Sequence, residues 1–290
     1  VPLTPVIGRF APSPTGELHF GSLVAALGSA LSAWSQGGTW RIRVEDIDPP
    51  REVAGSAARI LADLSRFGLQ ADGPVLYQST RLEAHHAAVD RLLQEGKAFH
   101  CGCTRADLPD NGVYPGTCRD GIPAGRKART VRARVDAPPV GFVDRVHGAC
   151  EQRLTEQCGD FVIRRADGLP AYQLAVVVDD AFQDVTEVVR GADLLDSTAR
   201  QVHLQHLLDL PTPDYMHLPL VVDADGRKLS KQDADDPVAT LSPLAALGAA
   251  MRVLGQPVPS QNDLSGFLDL ACRQWDPGRV PAIANVTPSD

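Results

Sequence analysis

"RFAPSPTGELHFGS", residues 9–22, joins two unlike periodicities. Just before and into it, "PVIGRF" (5–10) reads as a short strand. After it, Leu23, Leu27, Ala30, Leu31 and Trp34 recur at helical spacing. Two prolines and a glycine make the middle a loop. Gly37 and Gly38 stop the helix, and Trp40, Ile42 and Val44 then alternate along "WRIRVED" as a strand does. Strand, loop, helix, strand in quick succession is a βαβ unit. The expected fold is therefore α/β, built on a parallel sheet.

A loop that runs from a strand into a helix start also carries chemistry. The first backbone N–H groups of a helix lack partners and favour phosphate. Gly16 and Gly21 permit a ligand to approach the backbone closely. His19 stands at the mouth, where an imidazole can donate to a phosphate oxygen, with Ser22 beside it. An ordinary βα turn with a capping histidine fits this segment equally well. Read as a nucleotide site, the segment makes the fold Rossmann-like.

Outward from this block, helices are expected near 53–67 and 81–95. Residues 97–150 change character, being rich in Cys, Gly, Pro and Arg, with short strands at "TVRARV" and "VGFVDRV". They read as an insertion with its own small fold. "DFVIRR" and a turn follow, then "AYQLAVVVDDAF", which suits helix or strand by length. "DVTEVVRG" reads as a strand and 193–208 as a helix. The expected division is 1–96 and 151–215 as two halves of the catalytic domain, 97–150 as the insertion, and 216–290 as a lysine loop with a helical C-terminal segment. The final "DPGRVPAIANVTPSD" is expected to fray.

The chain has 290 residues and a net charge of −8, so a strongly basic nucleic-acid binder is not the default reading. No apolar run approaches the roughly 20 residues that span a bilayer, and no signal-peptide pattern opens the chain. Six cysteines without an export signal point to reduced thiols and a cytoplasmic protein. Three of them, Cys101, Cys103 and Cys118, cluster in "CGCTRADLPDNGVYPGTC". Structural zinc takes four N, S or O ligands in a tetrahedron, and three thiolates are at hand. Tyr114, His100 and Asp110 are near enough in sequence to be the fourth, and coordination chemistry alone favours His100.

The lysines complete the pattern. The chain has only four, Lys97, Lys127, Lys228 and Lys231. Two of these lie three residues apart in "RKLSKQ" (227–232), just after the turn-like "DADG". A lysine ammonium is a compact charge on a flexible stem, suited to follow a moving phosphate charge.

"HFGS" and "KLSK" resemble the HIGH and KMSKS signatures of class I aminoacyl-tRNA synthetases. Together with "VEDID", "DFVIRRADGLPAYQLAVVVDD", "VVRGADLLDSTARQ" and "LPLVVDADGRKLSK", they resemble, in order from residue 9 to residue 232, the catalytic half of glutamyl-tRNA synthetases. The departures are small: Ser22 replaces the second His, Leu229 the Met and Gln232 the final Ser. The resemblance implies that His19, Lys228 and Lys231 are catalytic. It implies that Gly16, His19, Gly21, Ser22 and Lys231 bind ATP, with Mg²⁺ accompanying it. It implies a glutamate pocket of Arg9, Ala11, Ser13, Glu45, Tyr172 and Arg190. That set is chemically sensible, because Glu45 can hold an ammonium while the two guanidinium forks suit a carboxylate. Arg9, Glu45 and Arg190 also fall at or near the C-terminal ends of predicted strands, where open α/β sheets bind ligands.

Only 58 residues follow residue 232, too few for the helical anticodon-binding domains of a full synthetase. The length, the "HFGS" form and the Cys-x-Cys…Tyr-x3-Cys pattern resemble one branch of the family, the glutamyl-queuosine tRNA(Asp) synthetases. That likeness implies zinc on Cys101, Cys103, Tyr114 and Cys118, a monomer, and transfer of glutamate to the queuosine of tRNA(Asp). The rival readings are a minimal core that charges a tRNA 3′ end, an activator serving another acceptor, and a non-catalytic RNA-binding paralogue.

Overall fold

The computed structural model describes residues 5–136, 138–222, 238, 242–283 and 285–286. The chain opens with β1 (Ile7–Phe10), α1 (Phe20–Ser35), β2 (Thr39–Val44), α2 (Ser56–Arg66), β3 (Leu76–Tyr77) and α3 (Leu82–Gln94). β1, β2 and β3 form a parallel sheet in that order, with Ile7 opposite Thr39 and Arg43 opposite Leu76. α1 is buried nearly all round, which its alanine-rich "VAALGSALSA" face permits. Gly28 lets it approach the second sheet, since a Cβ there would stand 2.7 Å from a methyl carbon of Leu218.

Next come β4 (Ala98–Cys101), β5 (Thr130–Ala133), β6 (Val140–Asp144), β7 (Gly148–Gln152), the short α4 (Leu154–Gln157) and β8 (Val162–Arg164). β4, β5 and β8 form an antiparallel sheet. β6 and β7 instead join a second large sheet, whose order is β7-β6-β10-β9. The cysteine-bearing segment is thus woven into the chain on both sides: β8 lies beyond residue 150, whereas β6 and most of β7 lie before it.

The second half supplies α5 (Tyr172–Phe182), β9 (Glu187–Gly191), α6 (Leu195–Leu207), β10 (Asp214–Leu218) and β11 (Leu220–Val221). The ambiguous "AYQLAVVVDDAF" is helix α5, packed between α3 and α6, where a run without polar alternation suits a helix buried on several sides. β9 pairs in parallel with β10 and lies beside β1, with Thr186 N–H donated to the Ile7 carbonyl at 3.0 Å. Strand order therefore reverses between β1 and β9, the place where ligands of open α/β sheets sit.

Helices α7 (Pro243–Val253) and α8 (Leu264–Gln274) pack on α1 and extend the same core. The tail corrects one expectation. Asn285–Val286 is not frayed but forms β12, a parallel partner of β11, whose edge N–H and C=O groups it satisfies. Among the described residues no helix is long and apolar enough to cross a membrane.

Candidate active site

The C-terminal end of β1 carries the first charged group. Arg9 is buried, and its Nε donates to Asp180 Oδ1 at 3.2 Å. The same oxygen accepts from Arg43 Nη1 at 2.7 Å, and Arg43 Nη2 lies 3.4 Å from Glu45 Oε1. Arg43 is 0 % exposed, so its charge is held in the interior by two carboxylates. Burial pushes the Asp180 carboxyl up, but Arg9 and Arg43 outweigh it and hold it below the ordinary value. Burial dominates at Glu45, whose carboxyl is pushed up despite Arg43 and Arg9. An arriving ammonium would relieve that cost.

Arg190, on β9, is held from several sides. Its Nε donates to His217 Nε2 at 3.0 Å, Nη1 to Gln201 Oε1 at 2.8 Å and Nη2 to Thr198 Oγ1 at 2.9 Å. Gln201 passes the chain on to Gln173, and Gln173 to Ser197. Tyr172 begins α5, and burial raises its phenol, keeping it a neutral donor.

These groups converge. A cavity of about 240 Å³ is lined by Arg9, Ala11, Ser13, Glu45, Tyr172 and Arg190, all six residues of the expected amino-acid pocket. A second cavity of about 300 Å³ shares Ala11, Ser13 and Glu45 with it and extends to His19, Gly21 and Ser22. His19 is the N-cap of α1, and its Nδ1 accepts from the Ser22 N–H at 3.2 Å. Its Nε2 lies 2.9 Å from Ser22 Oγ, so the neutral ring donates there from Nε2. Gly16 does not line either cavity. Its φ of 152° suits glycine, and it is held by Ser56, which takes its N–H at 3.3 Å and donates back to its carbonyl. Lys228 and Lys231 lie outside the described residues.

Sequence reasoning missed Arg43, Asp180, Thr198, Gln201 and His217. No local signal marks Arg43, since in a strand between Ile42 and Val44 a polar alternate normally faces water.

The cysteine cluster sits apart from these cavities. The sulfurs of Cys101, Cys103 and Cys118 lie within 4.8 Å of one another, all buried. Cys103 Sγ is 3.7 Å from Cys118 Sγ, and Tyr114 Oη is 3.4 Å from Cys101 Sγ and 4.0 Å from Cys103 Sγ. Ligand sulfurs at 2.3 Å from a tetrahedral ion stand roughly 3.8 Å apart, so the donor set fits zinc. His100 is exposed, because strand alternation turns it away between buried Phe99 and Cys101. Asp110 is exposed as well. Arg132 Nε donates to Cys101 Sγ at 3.3 Å, and Arg126 Nη1 to Cys103 Sγ at 3.5 Å. Burial raises the Cys101 thiol, but Tyr114, the Cys103 N–H and Arg132 outweigh it and bring it to about 7.

The family model for the catalytic domain of class I tRNA synthetases (E and Q) matches residues 5–111 and 117–242. The glutamate-tRNA synthetase of Elizabethkingia anophelis superposes with a TM-score of 0.81 at 27 % identity, over 98 % of this chain and 68 % of that one. The fold is thus that of the catalytic domain of a class I tRNA synthetase of the E and Q type. The glutamyl-Q tRNA(Asp) synthetase of Aromatoleum aromaticum is 54 % identical over 262 residues, covering 88 % of this chain and 83 % of that relative. That of Xanthomonas campestris pv. campestris is 52 % identical over 288 residues, covering 97 % and 95 %. The chain belongs to the glutamyl-Q tRNA(Asp) synthetase family.

Proposed function

We propose that this protein activates L-glutamate with ATP and transfers it to the queuosine base of tRNA(Asp). The observation that carries the reading is the charge-matched pocket that opens into the cavity at the N-terminus of α1. Glu45 faces the substrate ammonium, and Arg9, Tyr172 and Arg190 face its side-chain carboxylate. The α-carboxylate then points along the shared wall of Ala11 and Ser13 toward His19 and Ser22. One of its oxygens attacks the α-phosphorus in line and pyrophosphate leaves, so the enzyme contributes position and charge rather than a covalent intermediate. His19, Gly21, Ser22 and the positive N-terminal end of α1 cradle the phosphates, with Lys228 and Lys231 meeting the charge that develops on them and Mg²⁺ entering with ATP. Gly16 shapes the loop.

In the second step a hydroxyl of the queuosine cyclopentene diol attacks the activated carbonyl. AMP leaves, and the hydroxyl proton passes to solvent or to the departing phosphate. A cis-diol resembles the ribose hydroxyls of a tRNA 3′ end, so the same site serves without new chemistry. Bases of an anticodon loop are open to extraction into a pocket. Cys101, Cys103, Tyr114 and Cys118 would hold one structural zinc, whose closed shell leaves no position for substrate. The protein is read as a cytoplasmic monomer divided functionally at 96, 150 and 215.

The test is to locate the ester. Labelled glutamate is incubated with ATP and tRNA(Asp) with or without queuosine, and the label is mapped. Label on queuosine alone is expected. Charging of unmodified tRNA(Glu) at its 3′ end would overturn the acceptor assignment.

A further inference from the structure

We infer that His217 is a positioning residue for Arg190, and that Asp144 fixes the tautomer in which it acts. The inference rests on the reading of Arg190 as part of the glutamate pocket.

The three residues form a buried line across three strands. Asp144 ends β6, His217 lies near the end of β10, and Arg190 lies near the end of β9. His217 is 0 % exposed and Asp144 1 %. Asp144 Oδ2 stands 2.6 Å from His217 Nδ1 and, as an ionised carboxylate, it can only accept. Its other oxygen is taken by the N–H groups of Val146 and His147, both at 2.9 Å, so it cannot turn away. Nδ1 therefore carries the proton. Nε2 is left with a lone pair, which accepts from Arg190 Nε at 3.0 Å.

The opposite tautomer would set an imidazole N–H against a guanidinium N–H. The imidazolium would place two cations 3.0 Å apart in the interior. Burial and Arg190 both disfavour that charge at His217, outweighing the pull of Asp144. The Tyr215 ring stacks on the imidazole at 6.2 Å and keeps its plane.

The benefit falls on the substrate contact. A guanidinium has five N–H groups in a rigid fork. His217 takes the one on Nε, Gln201 one on Nη1, and Thr198 and the Leu194 carbonyl those on Nη2. The second Nη1 N–H remains for a ligand carboxylate. Without an acceptor at Nε, the fork is held at Nη1 and Nη2 alone, and the remaining N–H loses part of its aim. Asp144 belongs to the β6–β7 hairpin, so the amino-acid pocket is braced from a segment far away in sequence.

Two substitutions separate aiming from mere filling. In His217→Gln the amide oxygen reaches roughly the place of Nε2 and can accept from Arg190. In His217→Asn the amide reaches only the place of Nδ1, keeping Asp144 paired but leaving Arg190 Nε without its acceptor. Glutamate-dependent ATP–pyrophosphate exchange should show glutamate KM within about threefold of wild type for Gln and raised roughly tenfold or more for Asn, the scale of one hydrogen bond to a charged group. The KM for ATP should be little changed in both. A purely structural histidine predicts equal glutamate KM in the two variants, and that result would overturn the inference. If neither variant folds, two-bond ¹⁵N–¹H spectra of the wild-type histidines decide it: an Nδ1–H tautomer is expected at His217, and an Nε2–H tautomer overturns it. An absence of any glutamate-dependent exchange in the wild type would sink the functional reading instead, and the tautomer measurement would still decide the placement of His217.

Discussion

Ser22 occupies both ring nitrogens of His19: its N–H lies 3.2 Å from Nδ1 and its hydroxyl 2.9 Å from Nε2. The residue that replaces the second histidine of the HIGH signature therefore orients the first. Ser22→Ala should lower the rate of glutamate-dependent exchange about fivefold to tenfold, the scale of one lost orienting hydrogen bond. Glutamate KM should stay near wild type. A large rise in that KM with an unchanged maximal rate would remove His19 from the phosphate side.

Asp180 compensates two buried guanidinium groups at once. Asp180→Asn keeps the shape but removes the charge that Arg9 and Arg43 share. Breaking a buried pair in this way costs about 3–5 kcal/mol. Urea denaturation should show that loss, and glutamate KM should rise as Arg9 relaxes. A variant as stable as wild type would mean that water reaches Arg43.

Discrimination against glutamine should depend on Arg190. Facing a neutral amide, the guanidinium loses a charge-assisted pair, so wild-type activation should favour glutamate by a factor on the order of 10³ or more. Arg190→Ala should raise glutamate KM steeply and narrow that ratio. Equal activation of both amino acids by the wild type would count against the pocket.

Acid should destabilise the protein through two buried histidines. Burial lowers both His203 and His217 below their ordinary value. His203 is 2.7 Å from the Arg134 carbonyl and is buried neutral. The unfolded chain then takes up protons first, so stability should fall as pH drops below about 6.5 and go on falling toward the lowered folded values. Urea midpoints at pH 7.5 and 5.5 measure the slope, and His203→Gln should flatten part of it. An unchanged slope in that variant would place the effect elsewhere.

Metal analysis of protein purified without chelator should give one zinc per chain. Cys103→Ser should lose it and loosen the small cluster of Phe99, Cys101, Cys103, Tyr114 and Cys118. Protease sensitivity of that cluster and loss of exchange activity should then appear together, at the same lowered temperature. Metal-free protein with a protected cluster would show that packing alone holds it.

The readable parts of this chain are those where local chemistry and tertiary role agree. The loop at 9–22 declares itself because proline, glycine and a change of period coincide there, and the loop does lead from β1 into α1. The pocket residues were named from likeness to a family, and the fold brings all six onto one cavity wall. Arg43 and His217 were illegible because nothing local marks a polar strand residue as buried. Their burial comes from Asp180 and Asp144, which are distant in sequence. At the cysteines, ligand chemistry alone pointed to His100. Strand alternation in β4 turned it outward, a constraint visible only once the register beside β5 was known.

The exchange of strands around the cysteine segment has a consequence for how this protein can be taken apart. β8 closes the antiparallel sheet on β5, and β6 sits inside the mixed sheet, between β7 and β10. Val131, Ala133 and Val140 share a core with Leu174 and Val188. Excising residues 97–150 would tear two sheets and a common interior. The segment is therefore not a cassette that could be deleted or grafted onto another synthetase, and its strands should melt together with the second catalytic half in a single cooperative step.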